Sequence, residues 1–134
     1  MPSTPRAKPR PTSSQLQVLR QDAVRTLREM EDAIVRTRDQ LKTMEMLMRR
    51  VRKMMETSRS ATEVAQVVNA ASARAATSEI IREVQAARHR AQQAQFKLAA
   101  AEGASMAQIA RAWGVSRQLV SRMVKEPLPR RKKN

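Results

Sequence analysis

Cysteine is absent from the 134 residues of this chain, so neither disulfides nor thiolate metal sites can form, and a reducing compartment is compatible. Aromatic residues are nearly absent: Phe96 and Trp113 stand alone. Binding of single-stranded nucleic acid by successive stacking needs more rings than that, and both residues are expected in the core of a C-terminal domain instead. Glycine occurs twice and nothing in the pattern suggests a sheet. The one imidazole, His89, lies in the charged run Arg88-His89-Arg90 without convergent ligands and is expected to be a solvated helix residue. No apolar run approaches the roughly 18 residues of a membrane span. The N-terminus carries Arg and Pro with no apolar segment behind them, so no secretory signal is expected. A phosphate-cradling glycine loop, a Cys/His pair and a credible nucleophile–base pair are all missing from the sequence. Neither an enzyme nor a cofactor is therefore expected.

Positive charge is what the chain has in excess: 27 Lys and Arg against 12 acidic residues, for a net +15. A polyanion is the natural partner, most simply DNA or RNA. The excess is uneven, with +3 over residues 1–14, +4 over 15–59, +1 over 60–102 and +7 over 103–134. The C-terminal quarter is thus the most cationic.

Residues 1–14 hold Pro2, Pro5, Pro9 and Pro11 with Arg6, Lys8 and Arg10. That proline density opposes a helix and predicts an extended basic arm, either tracking phosphates or simply solvated. A long helix is expected from Gln15, with Ser14 as N-cap and Gln17 completing a capping box. Apolar residues then recur every seven positions at Leu27, Ile34, Leu41, Met48 and Met55. A second series runs through Leu16, Ala23, Met30, Thr37, Met44 and Val51. Together they predict a coiled-coil seam, widened by Leu19, Val24, Val35, Leu47 and Met54, and self-association through residues 15–59 as a homodimer or higher oligomer. Asp32 with Arg36 and Glu45 with Arg49 are spaced for i,i+4 pairing on the wet face. The methionines at 44, 46, 48, 54 and 55 have helical spacing and are read as core rather than as a soft-metal or peptide site.

The run 57–62, TSRSAT, predicts a break in this 15–90 helical region, with Ser60 and Glu63 as a second capping box. The following segment, 61–101, is Ala-rich and nearly as long as the first, which suggests an antiparallel hairpin; a continuous rod is the alternative. Val64, Val67, Val68, Ile80, Ile81 and Val84 are its larger apolar contacts.

Residues 91–126 form the most informative stretch. Gly103 should end one helix, and Ser105 can cap the next. The segment 106–125, MAQIARAWGVSRQLVSRMVK, then reads as helix, tight turn and helix. Ala110 suits a close helix approach, and Gly114 suits a turn with positive φ. Ile109, Trp113, Val115, Val120 and Met123 give both helices one apolar face, expected to pack with Phe96, Leu98 and Ala99 or Ala100. Trp113 is expected to be a core residue. Ser116 can cap the second helix, whose other face carries Arg117, Gln118, Ser121, Arg122 and Lys125. Pro127 and Pro129 end it, and Arg130, Arg131, Lys132 and Lys133 follow in a basic tail over 127–134.

This segment resembles the helix-turn-helix of bacterial repressors, and AEGASMAQIARAWGVSRQLVSR is similar to the DNA-binding ends of resolvases, invertases and transposases. No recombinase catalytic domain accompanies it. Periodicity and composition predict an all-α fold with long coiled-coil-like helices, and the resemblance implies that a three-helix domain follows them, with double-stranded DNA as partner in a cytoplasmic, nucleoid setting. Arg117, Gln118 and Ser121 would face base edges; Ser116 opens the same helix. Arg111, Arg122, Lys125 and the tail residues Arg130, Arg131, Lys132 and Lys133 would neutralise phosphates. The leading expectation is an oligomeric, sequence-specific regulator of transcription. A nucleoid-associated or partition-type architectural protein and a phage DNA-packaging small subunit are the alternatives.

Overall fold

The computed structural model describes residues 9–57 and 59–129, and all regular structure among them is helical. The helices are α1 (Ser13–Met55), α2 (Ala61–Val67), α3 (Ala70–Ala101), α4 (Met106–Trp113) and α5 (Arg117–Lys125). The all-α expectation holds. Residues 1–8 of the basic arm lie outside the described residues. Two compact units are present: Leu27–His89, and the described residues up to Thr26 together with those from Arg90 onward.

α1 begins two residues before the expected start. Thr12, not Ser14, closes the capping box: its hydroxyl accepts from the Gln15 N–H at 3.1 Å, and the Gln15 amide oxygen accepts from the Thr12 N–H at 2.8 Å. Pro11 sits directly before this cap, where it needs no helical hydrogen bond.

Within the Leu27–His89 unit the chain doubles back. Arg36 pairs with Glu83, and the Thr77 hydroxyl lies 3.4 Å from the Met44 sulfur. Rising numbers on α1 meet falling numbers on α3, so the hairpin is antiparallel and the rod is excluded. Arg36 thus pairs across the hairpin and not with Asp32, because Glu83 faces it from α3; Glu45–Arg49 forms as expected at 2.7 Å. α1 ends at Met55, and the Ser60 hydroxyl caps α2 by accepting from the Glu63 N–H at 3.2 Å. The second arm is not one helix. It breaks at Asn69, whose φ of +54° is left-handed, and whose side-chain oxygen accepts from the Ser72 N–H at 3.3 Å to start α3. Asn tolerates that conformation better than any residue but Gly, and it caps at the same time.

One of the two heptad series packs inward here. Met30, Thr37, Met44 and Val51 are half-buried, as are Gln40, Leu47 and Met54, while Ala33 and Ala87 are each 1% exposed. The other series is outside the seam: Leu27, Ile34, Leu41, Met48 and Met55 are 39–55% exposed within the chain. The seam mixes the larger Met30, Met44, Leu47, Val51 and Met54 with Ala33, Thr37 and Ala87, whose small side chains suit a close helix approach. The Thr37 and Thr77 hydroxyls donate to the carbonyls of Ala33 and Ala73, at 2.7 and 2.9 Å, so neither is left unsatisfied. Val64 is buried, whereas Val67 and Ile81 are half exposed.

In the other unit, Phe96, Ile109, Ala110, Val120 and Met123 make one core, flanked by Ala99, Ala100, Val115 and Leu119. Ala23 and Thr26 of α1 are buried in this unit, and Arg20 pairs with Glu102 at 2.8 Å. α3 ends as expected at Gly103, φ +104°, with Ala104 N–H bonded to the Ala99 carbonyl and Gly103 N–H to that of Ala100. Trp113 departs from its expected place. It is 40% exposed and rests edge-on against Phe96, ring centroids 5.3 Å apart at 82°. It falls at the last residue of α4, so its ring covers the rim of the core, whose centre Phe96 already fills.

Candidate nucleic-acid interface

Local chemistry fixes both short helices. Ser105 accepts from the Gln108 N–H, and the Gln108 side chain accepts from the Ser105 N–H, closing a capping box on α4. Gly114, φ +66°, ends α4, and the Val115 N–H returns to the Ala110 carbonyl at 3.0 Å. Two residues later the Ser116 hydroxyl accepts from the Leu119 N–H at 3.1 Å and starts α5. Ser116 therefore shapes the helix before it does anything else.

The far end of α5 is held by α3. The Gln93 side-chain amide, 1% exposed, donates to the carbonyls of Met123 at 3.1 Å and Glu126 at 2.9 Å. The Lys97 ammonium donates to the Val124 carbonyl at 2.7 Å. Carbonyls at a helix C-terminus lack intrahelical partners, so these donors satisfy groups that would otherwise face a partly buried wall. Burial pushes the Lys97 amine down from its ordinary range, and Glu126 nearby partly offsets this. Gln93 and Lys97 were not expected as positioning residues. The available signal was two long polar side chains one turn apart, flanking Phe96 on an otherwise Ala-rich helix.

With both ends fixed and Val120 and Met123 inward, the other face of α5 is determined. Arg117, Gln118, Ser121, Arg122 and Lys125 share one shallow concave surface with Met106 of α4. Five expected site residues are thus brought together. Arg117, Gln118, Arg122 and Lys125 are exposed, and Ser121 is half-buried. Arg111 is exposed on α4 but does not line this surface. Arg130, Arg131, Lys132 and Lys133 lie outside the described residues. Met106, the first residue of α4, also lines this surface, half-buried and packed against the core.

The cations of the hairpin are paired only in part: Arg28, Arg38, Lys42, Arg50 and Lys53 make no ion pair among the described residues. Arg36, Arg49, Arg52 and Arg82 each pair with a glutamate. Arg111, Arg117, Arg122 and Lys125 make no ion pair among the described residues. Their charge is available to an outside anion. No group of three or more His, Asp or Glu that could hold a metal exists among the described residues, and no helix there is long and apolar enough to cross a membrane. Compared with protein-family models, curated proteins and solved structures, the chain matches none.

Proposed function

We propose that this chain is an oligomeric protein that binds double-stranded DNA in sequence-specific fashion through α5, acting on the nucleoid as a regulator of transcription. The observation that carries the reading is the convergence of Arg117, Gln118, Ser121, Arg122 and Lys125, without ion pairs among the described residues, on one concave face of a helix whose opposite face is core. An α-helix with its side chains is about 10–12 Å across and matches the major groove, about 12 Å wide. Arg117 and Gln118 occupy the first turn of α5, from which a recognition helix reaches base edges. Arg can bond guanine in bidentate fashion, and Gln adenine. Arg122, Lys125 and Arg111 act on phosphates, joined by the basic tail.

Charge alone also suits an architectural protein that coats or bridges DNA, and a packaging subunit would combine similar parts. Base reading separates them. Gln118→Ala is expected to weaken a site selected by the parent protein by about 1–3 kcal/mol while leaving scrambled DNA nearly untouched. Titrations on both duplexes at fixed salt measure this. Equal losses on the two duplexes for Gln118→Ala and Arg117→Ala would remove sequence reading and leave the architectural role.

A further inference from the structure

The exposed heptad row on α1 has no partner within the described residues of the Leu27–His89 unit. Leu27, Ile34, Leu41 and Met48 are 39%, 49%, 55% and 53% exposed. Arg36 and Glu83 pair on one side of the hairpin seam. By heptad position, the apolar row flanks the seam on the opposite side, and Ile81 of α3, also 51% exposed, belongs to that side. Toward the closed end of the hairpin this face opens into an apolar groove of about 370 Å³, lined by Met44, Met48, Val51, Met55 and Val64 with Arg74 at its edge.

We propose that a second copy of this chain docks on this face, with α1 antiparallel to its counterpart about a two-fold axis at Leu41. The inference deepens the oligomeric part of the function proposed above and rests on it. Three features choose the occupant and its direction. The apolar row is self-complementary about Leu41: Ile34 comes opposite Met48 of the partner copy, and Leu27 opposite Met55, as an isologous contact requires. The open groove lies at the Met48–Met55 end and the protruding aliphatic side chains at the Leu27–Ile34 end, so each copy fills the other's groove. Finally, the row is bordered one position outward by Glu31, Arg38, Glu45 and Arg52, alternating in sign every seven residues. Antiparallel docking sets Glu31 against Arg52 and Arg38 against Glu45. Parallel docking leaves the two charged rows on opposite sides of the contact, so these pairs form only in the antiparallel arrangement. Arg49 and Glu56 now hold Glu45 and Arg52 as neighbours on the same helix. Such exposed pairs are weak and yield to a better partner.

The absence of cysteine makes the test clean, since every thiol is an introduced one. Sedimentation of the full chain without DNA should give a dimer, and Leu41→Asp should raise the dissociation constant about 100-fold or more, because two carboxylates would meet at the axis. Single-cysteine chains then read the geometry under mild oxidation. Leu41→Cys should cross-link to itself. Ile34→Cys alone should not, because its two copies lie about 21 Å apart along the helix at 1.5 Å per residue. A mixture of Ile34→Cys and Met48→Cys chains should give the mixed dimer. Arg38→Glu should weaken association, and Arg38→Glu with Glu45→Arg should restore it. Efficient self-linking of Ile34→Cys without the mixed product would overturn the proposal in favour of a parallel pair. A monomer at all concentrations would overturn it too, leaving the groove to a small apolar ligand; duplex binding by that monomer would leave DNA reading by α5 intact.

Discussion

Replacing Phe96 with Ala should cost about 3–5 kcal/mol, the range for emptying a fully buried aromatic site. Phe96 is 0% exposed and is the one α3 side chain in the buried cluster that joins α4 to α5 through Ile109, Ala110, Val120 and Met123. A unit with so small a core has little to redistribute when its largest member is removed. The sole tryptophan reports the change, because Trp113 rests on the Phe96 ring at 5.3 Å. In denaturant unfolding, the Trp113 fluorescence transition of Phe96→Ala should move far toward lower denaturant, and duplex binding should fall with it. Trp113→Ala, at a 40% exposed position, should cost much less. A Phe96→Ala chain whose fluorescence transition stays in place would show that the cluster does not hold α4 and α5 together.

Raising salt from 50 to 200 mM should lower affinity for duplex DNA by about 10³–10⁵-fold, the span for a protein that neutralises 6–10 phosphates. Arg111, Arg122 and Lys125 are free of ion pairs among the described residues, and the sequence adds Arg130, Arg131, Lys132 and Lys133 in the tail, for seven cations assigned to phosphates. Lys125→Gln should reduce the slope of log K against log salt by about one. Tail residues changed together to Gln should flatten it further, with equal loss on selected and scrambled sequences. Affinity that hardly changes over this salt range would contradict phosphate neutralisation as the main source of binding.

Much of this was legible in the residues because local rules and packing agree there. Ser105 with Gln108, Gly114, and Ser116 before an alternation of Val120 and Met123 with Gln118 and Arg122 leave few other ways to fold 106–125. The hairpin was harder. Its seam takes Ala33, Thr37 and Ala87 along with Met30, Met44 and Leu47, while Leu27, Ile34 and Leu41 stand outside it. Side-chain size is a poor guide where helices pack closely. The break at Asn69 has little sequence signal, because one residue in a left-handed conformation breaks a helix without Gly or Pro, and its Asx cap leaves no other trace. Trp113 departs from its expected core position for a geometric reason: a position at the end of an eight-residue helix follows the apolar period but runs past the core it points toward. The tie from Gln93 and Lys97 to α5 joins residues 27–33 positions apart, a contact only the folded chain displays.

The most direct measurement is an amide chemical-shift map of the full chain titrated with duplex DNA selected by the protein from a random pool. The largest changes should fall at Arg117, Gln118, Ser121 and Arg122, with smaller ones at Arg111 and Lys125 and little at Leu27, Ile34 or Leu41. Changes confined to the hairpin with α5 unmoved, or failure of any preferred sequence to emerge from the pool, would contradict recognition of DNA by α5.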